Sequence, residues 1–537
     1  MFLKKSKTCA SAAAPPPTAV RNPPRDHGIL CGVGGEGFAL RACLIANRGE
    51  IAVRIIRACR ELDVRACVVY SEADARAQHV LEADAAFALG GNTPAESYLD
   101  IPKLLDAAKQ MGCDCLHPGY GFLSENADFA EAVMDAGLIW IGPPPSAIRA
   151  MGIKTEARAL MRAAGVPLAP GFDDKDASDD ALLNAAQSIG YPVMVKAAGG
   201  GGGKGIRIVQ QAEILLEAVA AARREAGHAF NNSRVYLEKY VERARHVEVQ
   251  VLADAHGQTV HLFERDCSAQ RRHQKVIEES PAPHLGDGLR EAMGEAAVAA
   301  ARAVNYQSTG TVEFLLTPDQ QFYFLEMNTR LQVEHPVTEL ITGHDLVKLQ
   351  FAVAAGGKLP FTQLDLTQCG HAIECRLYAE DPSSGFLPAA GTLSHFEIPQ
   401  MPGVRVDSGV QSGDAISPYY DPLIAKIIVY DSTRKLALQR MNAALNAVIA
   451  LGTTTNLNFL HALINHPEFQ QGGIDTGFIE RHAAELTVTS EHDLQLALLA
   501  AALSETTAVK PGHAMSFATS VPDSWDNADR FRVGGNA

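Results

Sequence analysis

Between Thr311 and Glu339 the chain carries two β-branched and aromatic runs, Val312 to Leu316 and Phe322 to Met327, joined by Thr317-Pro318-Asp319. Turn chemistry between two such runs predicts an antiparallel hairpin. Side chains alternate along a strand, so Phe324, Glu326 and Asn328 are expected on one face of the second strand, with Glu313 pointing away from Phe314 on the first. Two carboxylates and an amide then converge, a hard oxygen set of the kind that holds Mg²⁺ against substrate phosphates. Arg330 and Glu334 follow within a few residues. A metal-binding carboxylate pair with an arginine and a further glutamate suits phosphoryl transfer coupled to proton abstraction. A hairpin with a merely solvated polar face is the other reading of the same residues.

The 537 residues suffice for several packed units, and 47% hydrophobic with 20% charged residues is an ordinary globular composition. The net charge of −15 argues against a nucleic acid or an anionic membrane as partner, because both are held by an excess of Lys and Arg. No apolar run reaches the roughly 18 residues of a membrane span. The ten cysteines lack paired metal spacing and read as small buried hydrophobes. Residues 1–40 differ from the rest: Lys4, Lys5, Lys7, Arg21 and Arg25 precede any useful acidic balance, and Pro15-Pro16-Pro17 interrupts them. A disordered leader is expected there. Its Arg and Lys fit a mitochondrial transit peptide, whereas its prolines oppose the helix such a peptide needs, so the cytoplasm is the expected location and the matrix the alternative.

Order begins at Ala42-Cys43-Leu44-Ile45, a short apolar strand, then Asn47-Arg48-Gly49-Glu50 and a helical spacing of Ile51, Ile55, Cys59 and Leu62. Arg65 to Tyr70, a helix near 101–111 and Asp114 to His117 continue the alternation, which predicts an open, largely parallel α/β sheet. It lacks Gly-x-Gly-x-x-Gly, so a dinucleotide site is not implied. His117-Pro118-Gly119-Tyr120-Gly121 follows a strand, where such sheets place ligands, and reads equally as a structural turn. A helix is expected from Ala150 through Arg162, with Lys154 projecting from it. Pro192 to Lys196 and Ile206 to Val209 read as strands around Gly199 to Gly203, a loop that either closes backbone amides over phosphates or acts as a plain linker. It is not a Walker A loop, since no helix follows and Ser or Thr is missing after the lysine.

Val235 to Val241 is a further expected strand, whose Glu238 and Lys239 offer the acceptor and donor that an adenine edge requires. His246, Glu248 and Gln250 share one face of the next strand. Glu264 to Glu279 is a dense charged run, in which Arg271, Arg272, His273 and Lys275 either face solvent or attract an anion beside the hairpin. A helix is expected near 286–304. Arg376 lies inside the strand that Gly370 to Pro382 predicts, where a charge needs a partner or a ligand.

Taken in order, Asn47-Arg48-Gly49-Glu50-Ile51-Ala52, His117-Pro118-Gly119-Tyr120-Gly121, Gly199 to Gly203, Gln270-Arg271-Arg272-His273-Gln274-Lys275 and Glu326-Met327-Asn328-Thr329-Arg330-Leu331-Gln332-Val333-Glu334-His335-Pro336 resemble the biotin carboxylases of the ATP-grasp superfamily. The resemblance spans residues 41 to about 485. It implies an α/β (α+β) architecture: an N-terminal, Rossmann-like pre-ATP-grasp domain over 41–155, an ATP-grasp domain over 156–372 with a mobile lid at about 168–241, and a biotin carboxylase C-terminal domain over 373–485. It also implies a reaction in which ATP, Mg²⁺ (or Mn²⁺) and bicarbonate give carboxyphosphate and ADP, and the carboxyl group passes to N1 of biotin.

Carried over by motif, Glu313, Glu326 and Asn328 would hold the metal. Lys154, Lys196, Glu238, Lys239, Val241, His246, Gln270 and His273 would bind ATP, with Gly201, Gly202 and Gly203 in the lid. Glu334 would take the proton of bicarbonate, Lys275 and Arg330 would orient that anion, Gln332 and Val333 would seat it, and Arg376 would stabilise the biotin enolate. Ile153 and Ile206 depart from the residues common in the family, and neither removes a proposed ligand.

No Ala-Met-Lys-Met or similar biotinylation sequence occurs in the chain, so biotin is expected on a separate carrier protein or domain. Residues 486–537 look like a linker or the start of a further domain. Pro522-Asp523-Ser524-Trp525 and Ala528 to Arg532 are similar to the segment that follows the carboxylase region in acyl-CoA carboxylase α subunits, particularly the methylcrotonyl type. The implied partners are a carrier, a carboxyltransferase subunit and a second copy of the chain in a homodimer or larger complex.

Overall fold

The computed structural model describes residues 40–174, 177–197, 206–230, 233–272, 274–487 and 499. The leader through residue 39, Gly201, Gly202, Gly203, His273 and the tail beyond Thr487, Leu499 apart, lie outside the described residues.

Cys43, Leu44 and Ile45 are completely buried because the strand Ala42–Ile45 is covered on both faces: Cys43 and Ile45 enter one apolar cluster, Leu44 and Ala46 another. It lies at the centre of a five-stranded parallel sheet whose order is Ala85–Ala88, Arg65–Tyr70, Ala42–Ile45, Cys115–His117, Ile139–Trp140. The expected open α/β unit is therefore present, with helices Gly49–Glu61, Ile101–Gln110 and Ala127–Asp135 in its connections. The Asn47 and His117 turns leave the carboxyl ends of adjacent strands, where such sheets present functional loops.

The second unit is a small antiparallel sheet in the order Gly171–Phe172, Val235–Lys239, Val193–Ala197, Arg207–Val209. Val193 pairs with Val209, so the two expected strands around the glycine run pair with one another, antiparallel. One expectation fails nearby. The helix predicted to run unbroken from Ala150 through Arg162 is two helices, Pro145–Gly152 and Lys154–Ala163, which meet at Ile153 in extended conformation (φ −111°, ψ 108°). Gly152 is a weak helix former next to a β-branched residue, and the chain breaks there. The break makes Lys154 the first residue of a new helix.

The third and largest sheet has eight antiparallel strands in the order Phe322–Asn328, Ser308–Leu316, Arg245–Ala253, Thr259–Arg271, Gln274–Ser280, His371–Tyr378, Leu423–Asp431, Val404–Ser408. The charged run is thus a pair of largely buried strands, which lie between Arg245–Ala253 and the C-terminal strands. Helix Asp287–Ala303 covers the apolar face at one end through Met293, Ala297, Ala300 and Ala301. Helix Arg434–Asn446 covers it at the other through Ala437, Leu438, Met441, Ala444 and Leu445.

The opening hairpin forms, with one correction. Glu313 stands opposite Glu326 and Thr311 opposite Asn328, but Phe314 pairs with Phe324, so the register shifts and Leu325 has no opposite residue. That extra residue is a β-bulge, and it reverses the alternation. Phe324 turns into the core with Phe314 and Met327, while Glu326 and Asn328 stay on the face of Glu313. Phe324 does not share their face, contrary to the strict alternation expected from sequence.

Candidate active site

Glu334 is completely buried and initiates helix His335–Thr342. One of its carboxylate oxygens accepts from Lys275 Nζ at 2.7 Å and the other from Arg376 Nη2 at 2.9 Å. Lys275 comes from Gln274–Ser280 and Arg376 from the adjacent strand His371–Tyr378, so the sheet itself sets the separation of the two cations. Burial by itself raises a carboxyl pKa; Lys275, then Arg376 and Arg265, outweigh that and hold Glu334 well below the usual carboxylate range. It is ionised and able to accept a proton.

Lys275 donates to Glu248 (2.5 Å) and Glu313 (2.8 Å) as well. Burial opposes its charge, and these three carboxylates hold it well above an ordinary lysine. Behind it lies Arg265, which is fully buried and committed to Glu248 (2.5 Å), Gln250 (2.8 Å), Thr338 (2.9 Å) and Thr311 (3.1 Å). The polar face formed by His246, Glu248 and Gln250 therefore points into the protein and not to solvent.

Glu313 accepts from Asn328 Nδ2 at 2.8 Å, and its other oxygen lies 3.0 Å from His246 Nε2. Glu326, opposite it, is bound by Lys154 at 3.0 Å and is partly open to solvent. Donor atoms of His246, Glu248 and Glu313 also lie within 4.8 Å of one another, but Glu248 is already held by two cations. Glu313, Glu326 and the Asn328 amide are an all-oxygen set on one face, which fits a hard divalent cation such as Mg²⁺.

Arg330 is oriented by Glu125 (3.2 Å), Gln332 (3.0 Å) and Asn328 (3.2 Å). Gln332 also reaches Glu313 at 3.4 Å, and the Val333 carbonyl accepts from Lys426 Nζ at 2.8 Å. Lys275, Arg330, Gln332, Val333 and Arg376 thus form one cluster around Glu334 and Glu313. Lys154, His246, Glu326 and Asn328 border it. Gln270 is buried and stands opposite Lys275 across the charged hairpin, and Val241 is half-buried just past Val235–Lys239.

The side-chain reading of Glu238 and Lys239 as an adenine acceptor and donor is corrected. The Glu238 carboxylate is closed by Lys196 and Arg158, and Lys239 Nζ donates to the carbonyls of Gly190 (2.8 Å) and Tyr191 (3.1 Å). Both side chains are spent within the protein: buried Lys196 and Glu238 neutralise one another, which is how a buried ammonium is tolerated.

Sequence reasoning assigned no role to several residues of the site. Glu278 lies 2.5 Å from Arg376, and burial pushes its carboxyl up to about 7 against the pull of that guanidinium. Glu374 stands directly opposite Glu278 in register, and neither of its carboxylate oxygens has a hydrogen-bond partner among the described residues. Burial raises it well above the usual range. The rule that singled out Arg376, a charge inside an apolar strand, applies to Glu374 and Lys426 as well and finds both.

Three family models match most of the chain. The family model "Biotin carboxylase, N-terminal domain" matches residues 39–148, "Carbamoyl-phosphate synthase L chain, ATP binding domain" matches 154–362, and "Biotin carboxylase C-terminal domain" matches 374–481. The biotin carboxylase of Halalkalibacterium halodurans is 50% identical over 439 residues, 82% of this chain and 97% of that protein. The mitochondrial methylcrotonoyl-CoA carboxylase subunit alpha of Dictyostelium discoideum is 49% identical over 499 residues, 92% of this chain and 70% of that protein. The chain spans 61–70% of the length of the methylcrotonoyl-CoA carboxylase subunits it matches. Among solved structures, the biotin carboxylase domain dimer of Hydrogenobacter thermophilus 2-oxoglutarate carboxylase, in complex with MgADP, ADP and bicarbonate, superposes with a TM-score of 0.81 at 42% identity, over 84% of this chain and 99% of that one.

Proposed function

The chain belongs to the biotin carboxylase family, and from that premise we propose that it uses ATP and bicarbonate to carboxylate the ureido N1 of biotin presented by a carrier protein or domain. The observation that carries this reading is the position of Glu334: an ionised, fully buried carboxylate held between Lys275 at 2.7 Å and Arg376 at 2.9 Å.

Bicarbonate entering beside Arg330, Gln332 and the Val333 backbone takes up part of the charge of Lys275. Glu334 then loses some of the cationic field that depresses its pKa, becomes more basic, and removes the bicarbonate proton as the anion attacks the γ-phosphorus. Carboxyphosphate and ADP result. Glu313, Glu326 and Asn328 would hold a divalent cation, which would supply positive charge to the nucleotide phosphates, beside Lys154 and His246. We assign Lys196, Gln270, Val241, His273 and Gly201 to Gly203 to the nucleotide as well, and Glu238 and Lys239 to shaping its pocket. The N1–carboxyl bond forms as the carboxyl–phosphate C–O bond of carboxyphosphate breaks, and the departing phosphate carries away the N1 proton; the ureido nitrogen is a poor nucleophile until that proton leaves and its carbonyl carries enolate charge. Arg376, fixed by Glu278 and buried away from water, stabilises that charge; a single donor of this kind is worth about 3 kcal/mol in comparable sites.

The domain limits that accompany this reading are 41–155, 156–372 and 373–485. The full-length methylcrotonoyl-CoA carboxylase relatives support a role as the carboxylase component of an acyl-CoA carboxylase, with a biotin carrier and a carboxyltransferase as partners and a second copy of the chain in a dimer. No helix among the described residues is long and apolar enough to cross a membrane. The proposed location is the cytoplasm; the mitochondrial names of the eukaryotic relatives favour the matrix alternative, and uptake of the full chain by isolated mitochondria decides between them.

The test is phosphate release from ATP by the purified chain with Mg²⁺, with bicarbonate and free biotin added separately and together. Stimulation that requires both is the expected result. Release indifferent to both, by a protein that still binds ATP, contradicts the reading.

A further inference from the structure

Two sequence motifs have no part in the chemistry above: Asn47-Arg48-Gly49-Glu50 and His117-Pro118-Gly119-Tyr120. The structure brings them together. Asn47 Nδ2 donates to the carbonyls of Pro118 and Tyr120, each at 2.7 Å. Gly119 makes room for it, having φ +65° and a position where a Cβ would meet that nitrogen at 2.9 Å. The turn so held directs the Tyr120 hydroxyl onto Glu50 Oε1. Glu50 is buried in the first turn of helix Gly49–Glu61, which Gly409 of the C-terminal region approaches so closely that a Cβ there would meet the Glu50 backbone nitrogen at 2.4 Å.

The same Glu50 oxygen lies 3.2 Å from Lys426 Nζ, which is 3.9 Å from Asp407. Lys426 is fully buried in the strand Leu423–Asp431, directly opposite Arg376 in register. Its ammonium donates to the Val333 carbonyl at 2.8 Å. Val333 precedes Glu334, so the pinned carbonyl belongs to the peptide whose nitrogen is that of the proposed base. An ammonium taken fully out of water is costly, and a site needing only stability is filled as well or better by an apolar side chain. What an apolar residue cannot supply is a donor of fixed direction to one backbone carbonyl.

We propose that Lys426 is a positioning residue for the carboxylation reaction: by pinning the Val333 carbonyl it sets where the Glu334 carboxylate stands between Lys275 and Arg376, and Glu50 and Tyr120 hold Lys426 in turn. Lys426 and Arg376 sit opposite one another on paired strands, so the same sheet register fixes both the biotin-side guanidinium and the anchor of the base. The chain Tyr120, Glu50, Lys426, Val333 draws on all three regions of the sequence, and the base is aligned only when all three are docked. Displacement of a reacting group by about 1 Å costs on the order of 10²-fold in rate, so a single lost anchor is kinetically visible.

The inference rests on the proposed function, and its test separates the two. The full chain is prepared as wild type, Lys426→Met, the charge-balanced Glu50→Gln/Lys426→Met pair and Tyr120→Phe. Each is assayed for bicarbonate- and biotin-dependent phosphate release, for ATP affinity by equilibrium binding and for thermal unfolding. In Lys426→Met and in the charge-balanced pair, kcat/KM for bicarbonate is expected to fall at least about ten-fold while ATP affinity stays within about two-fold of wild type. Tyr120→Phe, which removes one hydroxyl and keeps Lys426, is expected to lose about two- to five-fold in the same parameter.

Values within about two-fold of wild type in folded Lys426→Met or in the pair overturn the inference, as does a parallel loss of ATP affinity, which would mark a general structural role. Should neither lysine variant fold, Tyr120→Phe decides, and an unchanged kcat/KM for bicarbonate overturns the inference. An active wild type with unaffected variants removes the inference alone, whereas a wild type indifferent to bicarbonate removes the proposed function and the inference with it.

Discussion

Glu278 and Glu279 are neighbours in one strand and point to opposite faces of the large sheet, and they live in opposite electrostatic worlds. Glu278 faces Glu374 and Arg376, and burial pushes it up to about 7. Glu279 faces His371 (2.7 Å) and Arg434 (2.7 Å); burial would raise it too, but those two partners bring it down to about 2. The face of Glu278 also carries Lys426 and, through Arg376, meets Glu334 beneath helix His335–Thr342. The face of Glu279 is otherwise an apolar cluster of Ile277, Ile373, Cys375, Leu377, Ile427 and Val429 under helix Arg434–Asn446. One sheet thus separates two tasks. Its charged face buries ionisable groups at a cost in stability, the arrangement expected of a functional site, and its apolar face supplies the stability.

The largest effect expected on this comparison is on the charged face. Glu334→Gln should lower bicarbonate-dependent turnover by about 10²- to 10⁴-fold, the range of a lost general base, with ATP affinity nearly intact. Steady-state phosphate release beside nucleotide binding measures both, and an equal loss of nucleotide affinity would show that Glu334 is structural. On the apolar face the converse holds. Ile427→Ala, at a fully buried position, should cost about 2–5 kcal/mol in chemical denaturation and leave kcat of the folded fraction unchanged.

Glu279 tests the boundary between the two faces. Its pKa is about 2 in the folded protein against an ordinary 4.5, so its contribution is fully present above pH 4.5 and is lost as pH falls towards 2. Glu279→Gln should therefore destabilise by on the order of 3 kcal/mol near neutrality, with the gap to wild type closing as pH falls below the ordinary carboxylate range. Denaturation midpoints across an acid series follow this directly; a gap that widens on acidification would contradict the assignment. The smallest effect is expected far from either face. Replacing Arg149, half-exposed and paired with Glu131 and Asp128 on the surface, by alanine should leave the thermal unfolding midpoint and the activity essentially unchanged.

Much of this was legible in the residues. The hairpin at Val312 and Phe322, the parallel character of the first sheet, the strand around Arg376 and the helix near 286–304 follow from periodicity and turn chemistry, which are local. Errors arose where a local rule was broken by a neighbour. The bulge at Leu325 follows from pairing with Ser308–Leu316 and reverses Phe324, and no count along the second strand alone reveals it. Glu238 and Lys239 were given to a ligand because their types suit one; the structure satisfies both with protein groups, since Arg158 and Lys196 arrive from other elements. Lys426 and Glu374 could have been suspected from their strands, but not their partners, which lie up to hundreds of residues away.

The sequence by itself determined the elements, the chemical inventory and, through its motifs, the family, because hydrophobic period, turn residues and side-chain chemistry are properties of short stretches. Which carboxylates are ionised, which cation each one answers to, and how the Asn47 and His117 motifs reach the reaction through Lys426 were decided only in three dimensions. Coulombic interaction and desolvation depend on distance and burial, and sheet register brings together groups that the chain keeps far apart.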